Sequence, residues 1–246
     1  MDGHGTIRAG AHEFWPILEA PRPSPQAIPV YKSLRMMQAI VELVAQERPT
    51  RIVEVGIYAG GSTALLAALA PEATLLGIEL DPGPASQLAR FEELGGSVAG
   101  VRVAYGVDQG DRHTVQALVR ETFGDEPIDL VIDDASHQLE LSRSTLDALL
   151  PFVRSGGSYV IEDWGWGQLR ESMWASTLAG TEWPPGEPMA ALIFDLVMAV
   201  AASEGVVDDL VVAPSTVIAR RGVAPLDPDG FRLRDQLPGA QDYQAP

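Results

Sequence analysis

The stretch that most constrains this chain runs from Arg51 to Gly61, reading Arg-Ile-Val-Glu-Val-Gly-Ile-Tyr-Ala-Gly-Gly, with Ser62 and Thr63 next. Ile52, Val53 and Val55 have the β-branched composition of a buried strand. Ala64 to Ala70, just beyond the glycines, has strong helix propensity. A strand, a glycine-rich turn and a helix in that order open a nucleotide-binding α/β unit. Glycine lets the backbone approach a ligand closely, and the helix N-terminus offers N–H groups with no partner inside the helix. Gly56, Gly60 and Gly61 are spaced G-x-x-x-G-G, which is not the dinucleotide fingerprint G-x-G-x-x-G. An acid, Glu54, precedes the first glycine by two positions.

The surrounding pattern extends that unit into a sheet. Leu34, Met37, Ile40, Val41 and Val44 fall at helical spacing, so Leu34 to Glu47 reads as an amphipathic helix ending before Pro49. Strands are expected at Thr74 to Leu80, Val101 to Tyr105, Ile128 to Ile132 and Ser158 to Ile161. Helices are expected at Pro84 to Leu94, Thr114 to Phe123 and Leu141 to Val153. This alternation implies a parallel sheet with crossover helices, whose ligands bind at the carboxyl ends of the strands. Ala190 to Ser203 reads as a strongly apolar helix. Val206 to Ala213 and Thr216 to Arg221 read as an antiparallel pair at the sheet edge, joined through Pro214 and Ser215.

Three segments lie outside the alternation. Pro21, Pro23, Pro25 and Pro29 forbid a continuous helix in the first 30 residues, which read as an arm docking on the body or on a second subunit. Residues 165–188 carry Trp166, Trp174 and Trp183 among prolines and glycines, directly after a strand end, where a substrate lid is expected. The domain division expected is therefore an arm and helix over 1–48, a ligand-binding domain over 49–222 containing that lid, and a surface tail over 223–246.

Composition removes several classes of function. Asp and Glu number 34 against 17 Lys and Arg, a formal charge of −17 that repels phosphate backbones and argues against a nucleic-acid partner. With no cysteine there is no disulfide framework, thiolate nucleophile or thiolate-bound zinc. The N-terminus lacks an apolar core of signal-peptide length, and Met189 to Ala202 is too short to span a membrane and contains Asp195. A cytoplasmic location with no membrane partner is expected. The proline-rich arm and the apolar helix from Ala190 suggest a homo-oligomer.

Carboxylates mark the strand ends. Glu79 and Asp81 close the second strand, about 20 residues past the glycine turn, where an acid accepts ribose hydroxyls. Asp108 and Gln109 follow the third strand and can hydrogen-bond an adenine amino group. The fourth strand ends Asp133-Asp134-Ala135-Ser136-His137, and the fifth ends Glu162-Asp163-Trp164. Like charges at adjacent strand ends repel unless a cation compensates, and an oxygen-rich set without cysteine suits Mg²⁺ or another hard divalent ion. Asp134, Glu162 and Asp163 are the candidate ligands, with His137 near enough to act as general base.

Together, Glu-Val-Gly-Ile-Tyr-Ala-Gly-Gly-Ser, Asp-Asp-Ala-Ser-His and Val-Ile-Glu-Asp-Trp resemble the metal-dependent sugar O-methyltransferases of antibiotic biosynthesis, a class I S-adenosylmethionine-dependent family. The resemblance covers about Arg51 to Trp164, with weaker support to Arg221. It implies a Rossmann-like α/β fold: a seven-stranded, mostly parallel sheet with a reversed edge strand and helices on both faces. It also implies S-adenosylmethionine and Mg²⁺ as cofactors, and a sugar or glycoside hydroxyl as acceptor. By the same resemblance Glu54, Gly56, Gly60, Ser62, Glu79, Asp108, Gln109 and Asp133 hold the methyl donor. Asp134, Glu162 and Asp163 hold the cation, and His137 is the base. Val107, an extra residue before Asp108, departs from the family pattern. Two other readings share these features: a catechol-type O-methyltransferase, against which His137 argues because that type often uses a lysine base, and a non-catalytic cofactor-binding assembly subunit.

Overall fold

The computed structural model describes residues 5–17, 19, 21–165 and 189–237. The expected lid beyond its first residue and the end of the tail fall outside these. A small sheet comes first, with β1 (Ile7–Ala9) antiparallel to β2 (His12–Pro16), and β2 parallel to β3 (Ile28–Val30). Helix α1 (Leu34–Glu47) follows, opened by Ser33, whose hydroxyl accepts the Met36 N–H. The main elements are then β4 (Arg51–Val55), α2 (Gly61–Leu69), β5 (Thr74–Glu79), α3 (Ser86–Glu93), β6 (Val101–Tyr105), α4 (Arg112–Phe123) and β7 (Ile128–Asp133). The chain continues through α5 (Leu139–Leu149), β8 (Val153–Glu162), α6 (Ala190–Ala202), β9 (Val207–Ala213) and β10 (Thr216–Arg221).

The large sheet has seven strands in the order β6-β5-β4-β7-β8-β10-β9. The pairs β4–β5 and β5–β6 are parallel, and β10 is antiparallel to both β8 and β9. The reversed strand is therefore β10, one place in from the edge, while β9 at the edge runs in the same direction as β8. Strand order reverses direction from β4, with β5 and β6 to one side and β7 and β8 to the other. This is the topological switch point at which open α/β sheets bind ligands.

The largest departures from the expected boundaries are at α5 and β8. The helix expected over Leu141 to Val153 starts at Leu139 and stops at Leu149; Leu150–Phe152 form a 3₁₀ turn. Pro151 cannot continue the α-helical hydrogen-bond ladder, so the chain tightens and enters β8 at Val153, five residues before the expected strand. The first 30 residues, read as an arm, form the three strands of the small sheet.

The chain divides into two compact units. One comprises Met1–Asp108 and Ala117–Val131, the other Gln109–Gln116 and Ile132–Pro246. In the first, the small sheet seals one apolar cluster: Phe14 and Ile28 pack with Met37 of α1, Leu65 of α2 and Phe91 of α3. At the foot of β4, the Asp129 carboxylate accepts the backbone N–H groups of Thr50 and Arg51 and the Thr50 hydroxyl, pinning the chain where the strand begins. In the second unit, Tyr159 and Ile161 of β8, Leu146 and Leu149 of α5, and Leu192 and Leu196 of α6 are buried. No helix among the described residues is long and apolar enough to cross a membrane.

Candidate active site

The glycine turn of the first unit is built by positive backbone angles. Gly56, Tyr58 and Gly60 have φ of 81°, 49° and 80°, so the chain reverses sharply between β4 and α2. Gly60 has a second reason to be glycine, because a Cβ there would lie 2.8 Å from that of Ala85. Two acids brace the turn. Glu54 is fully buried and accepts the Thr63 hydroxyl at 2.7 Å, tying β4 to the first turn of α2. Glu79 accepts the Tyr58 N–H at 2.6 Å and the Asp81 N–H at 2.9 Å, holding Tyr58 in its left-handed conformation. Ser62 is buried in the first turn of α2, where helix N–H groups lack intrahelical acceptors. Such a turn suits the close approach of a ligand with oxygen groups.

In the second unit, β7 and β8 end in acids. Asp133 is buried, and its Oδ2 accepts the Tyr159 hydroxyl at 3.4 Å. Burial pushes its carboxyl up to about 7, against the lowering effect of His137. The chain then releases Asp134 to partial exposure, and His137 Nε2 lies 3.1 Å from Asp134 Oδ1. His137 and Asp163 both take left-handed backbone conformations, with φ of 55° and 50°. Non-glycine residues adopt that region at a cost, and such residues concentrate where side chains are aimed for a task.

Asp134, His137 and Asp163 each bring a ligand atom within 4.8 Å of the others, among the described residues. For His137, burial is the largest single influence and favours the neutral ring. The Asp134 hydrogen bond and the charges of Asp134, Asp163 and Asp133 together outweigh it, and the imidazole pKa is raised. A site that raises the pKa of a largely buried imidazole is one that attracts positive charge. Two carboxylates and an imidazole at this spacing fit a hard or borderline divalent cation. Glu162 is buried immediately before Asp163 and is not part of that group of three.

The remaining sequence candidates fall as follows. Asp108 is exposed beyond β6. Gln109 is buried, its Nε2 donating to Thr145 Oγ1 at 2.7 Å and its Oε1 accepting the Ser136 N–H at 2.9 Å. Sequence reasoning missed three supporting groups: Thr63 on Glu54, Tyr159 on Asp133, and Thr145 on Gln109. Only Thr63 had a local signal, as a hydroxyl in the first turn after the glycines.

Comparison with known proteins matches this architecture. A family model described as a methyltransferase domain matches residues 53–164, from the middle of β4 to just past β8. Over those residues the chain is similar to that methyltransferase domain. The methyl donor of that domain family is S-adenosylmethionine. The domain is 30% identical over 125 residues to mycinamicin VI 2''-O-methyltransferase of Micromonospora griseorubida, covering 48% of this chain and 28% of that protein. It is 39% identical over 74 residues to demethylmacrocin O-methyltransferase of Streptomyces fradiae, covering 24% of this chain and 19% of that protein. The chain thus spans less than a third of either relative. Among solved structures, a methyltransferase of the mycinamycin pathway, in complex with Mg, SAH and mycinamycin VI, aligns with a TM-score of 0.55 at 22% identity. The alignment covers 76% of this chain and 48% of that one. The O-methyltransferase of tomaymycin synthesis from Streptomyces achromogenes, in complex with SAM, aligns with a TM-score of 0.52 at 20% identity, covering 80% and 83%. At these identities the structures establish the shared fold.

Proposed function

We propose that the chain transfers a methyl group from S-adenosylmethionine to a hydroxyl of a deoxysugar, either nucleotide-linked or carried on a glycosylated natural product, with Mg²⁺ bound. The observation that carries this reading is the grouping of Asp134, His137 and Asp163 at the carboxyl ends of β7 and β8. Curated relatives named for O-methylation of antibiotics support the acceptor class, and a fold neighbour solved with Mg and SAH supports the cofactors.

In this reading Glu54, Gly56, Gly60, Ser62, Glu79, Asp108 and Asp133 hold the methyl donor. Asp134, Asp163 and the neighbouring Glu162 hold the cation. A bound divalent ion lowers the pKa of a hydroxyl it touches and fixes which oxygen of a diol is presented. His137 takes the hydroxyl proton as the oxygen attacks the methyl carbon and the sulfonium leaves as a neutral thioether. Its Nε2 lies 3.1 Å from Asp134 Oδ1, a contact that orients the ring beside the cation ligands.

The test is methyl transfer to deoxysugar acceptors, followed by mass spectrometry, with and without a chelator. Transfer that requires both S-adenosylmethionine and a divalent cation is expected. Cation-independent transfer removes the metal role. Donor binding with no transfer to any sugar or aromatic diol favours the assembly-subunit reading, and transfer to aromatic diols alone favours the catechol-type one.

A further inference from the structure

The segment between Asp134 and His137 is held from outside itself by a directional chain of hydrogen bonds. Thr145, fully buried on α5, donates its hydroxyl proton to the Leu141 carbonyl at 2.9 Å. Its oxygen is then left to accept, and Gln109 Nε2 donates to it at 2.7 Å. That fixes the orientation of the amide, because the other end must face a donor. Gln109 Oε1 does so, accepting the Ser136 N–H at 2.9 Å. Every donor in the series has an acceptor, and neither bond of the amide survives its reversal. Ser144 adds a parallel tie, its hydroxyl donating to the Gly110 carbonyl at 3.3 Å.

Ser136 lies between Asp134 and His137, and His137 sits at a φ of 55° that the loop must be compelled to keep. A buried amide whose ends are committed to Thr145 and Ser136 is poorly placed to read an adenine, since its remaining capacity is screened by burial. From this geometry we infer that Gln109 is a positioning residue. It acts through the Ser136 amide to hold Asp134 and His137 in register for cation and proton, and it is not an adenine contact. The inference rests on the proposed role of that cluster and revises the adenine contact that the resemblance implies for Gln109.

The experiment compares the wild-type chain with Gln109→Met, which loses both amide bonds, and Thr145→Val, which loses the bond to Gln109; each is close in volume to the original residue. Mn²⁺ is titrated as the cation probe and S-adenosylmethionine separately, with Asp134→Ala as control. Amide hydrogen exchange at Ser136 is read in metal-free protein. For Gln109→Met, expected are at least tenfold weaker Mn²⁺ binding, donor affinity within twofold of wild type, and at least tenfold faster exchange at Ser136. The smaller loss belongs to Thr145→Val, which keeps the Ser136 bond. Weakened donor binding with Mn²⁺ binding intact makes Gln109 an adenine contact and overturns the inference. Unchanged Mn²⁺ binding in both variants overturns it too, as does loss of both ligands in both variants. If wild type itself takes up no Mn²⁺, the cation reading fails separately. Ser136 exchange then decides, and unchanged protection in Gln109→Met overturns the positioning role.

Discussion

His137 shows how a residue's chemistry is set by what surrounds it. Burial alone would keep the imidazole neutral, and the carboxylates of Asp134, Asp163 and Asp133 reverse that preference. His137→Ala removes the basic atom and leaves the glycine turn untouched. Methyl transfer is expected to fall by about 10²–10⁴ in kcat, with donor affinity unchanged, by steady-state kinetics and calorimetry. Asp147, on α5, responds in the opposite sense. Burial raises its carboxyl to about 6, against the Leu233 N–H and the Arg143 charge, which lower it; Asp235 and Asp195 add to the rise. Between its ordinary 3.8 and about 6 the folded chain holds a proton that the unfolded chain has lost. This group's stabilising contribution is therefore full below pH 3.8 and disappears as pH rises through 6. Asp147→Asn keeps an oxygen to accept the Leu233 N–H, 2.9 Å away in the native protein. Urea titration is expected to find the variant more stable by on the order of 2 kcal/mol at pH 8 and near neutral in effect below pH 4.

At the level of elements, the docking of the small sheet on α2 depends on a single absent atom. A Cβ at Gly61 would lie 2.2 Å from the Pro29 carbonyl oxygen, a contact no side chain tolerates without moving backbone. Gly61→Ala is expected to push β3 away from α2 and to cost about 1–3 kcal/mol in chemical denaturation. Exchange protection should be lost first in β3 and at the start of α2. The small sheet itself was not legible from sequence. Its strands span 3, 5 and 3 residues, and β2 pairs in parallel with β3 across a proline-rich connection. Strands so short give no alternation to count, and their stability comes from covering Met37, Leu65 and Phe91. By contrast α1 appears at its expected bounds, because its apolar spacing and the stop before Pro49 are both local signals.

For the molecule as a whole, a formal charge of −17 means that the native state carries substantial self-repulsion. Raising monovalent salt from about 0.01 to 0.15 M shortens the screening length from about 30 to 8 Å. A higher thermal midpoint in the saltier buffer is therefore expected at neutral pH, by differential scanning calorimetry. An unchanged or lower midpoint would mean that attractive ion pairs, such as Arg143 with Asp195 at 2.9 Å, outweigh the net repulsion.

The order of strands and helices from α1 onward, the glycine turn and the acids at the strand ends were determined by the sequence alone. Each is written in residues within a few positions of one another, where hydrophobic period, propensity and backbone freedom act directly. Tertiary structure decided which of those acids meet. Asp134, His137 and Asp163 share a 4.8 Å neighbourhood, while Glu162 lies buried beside them. It also decided that Gln109 turns toward Ser136 and Thr145, partners 27 and 36 positions away. A buried amide must find a donor and an acceptor wherever the fold brings them, and sequence spacing carries no record of that.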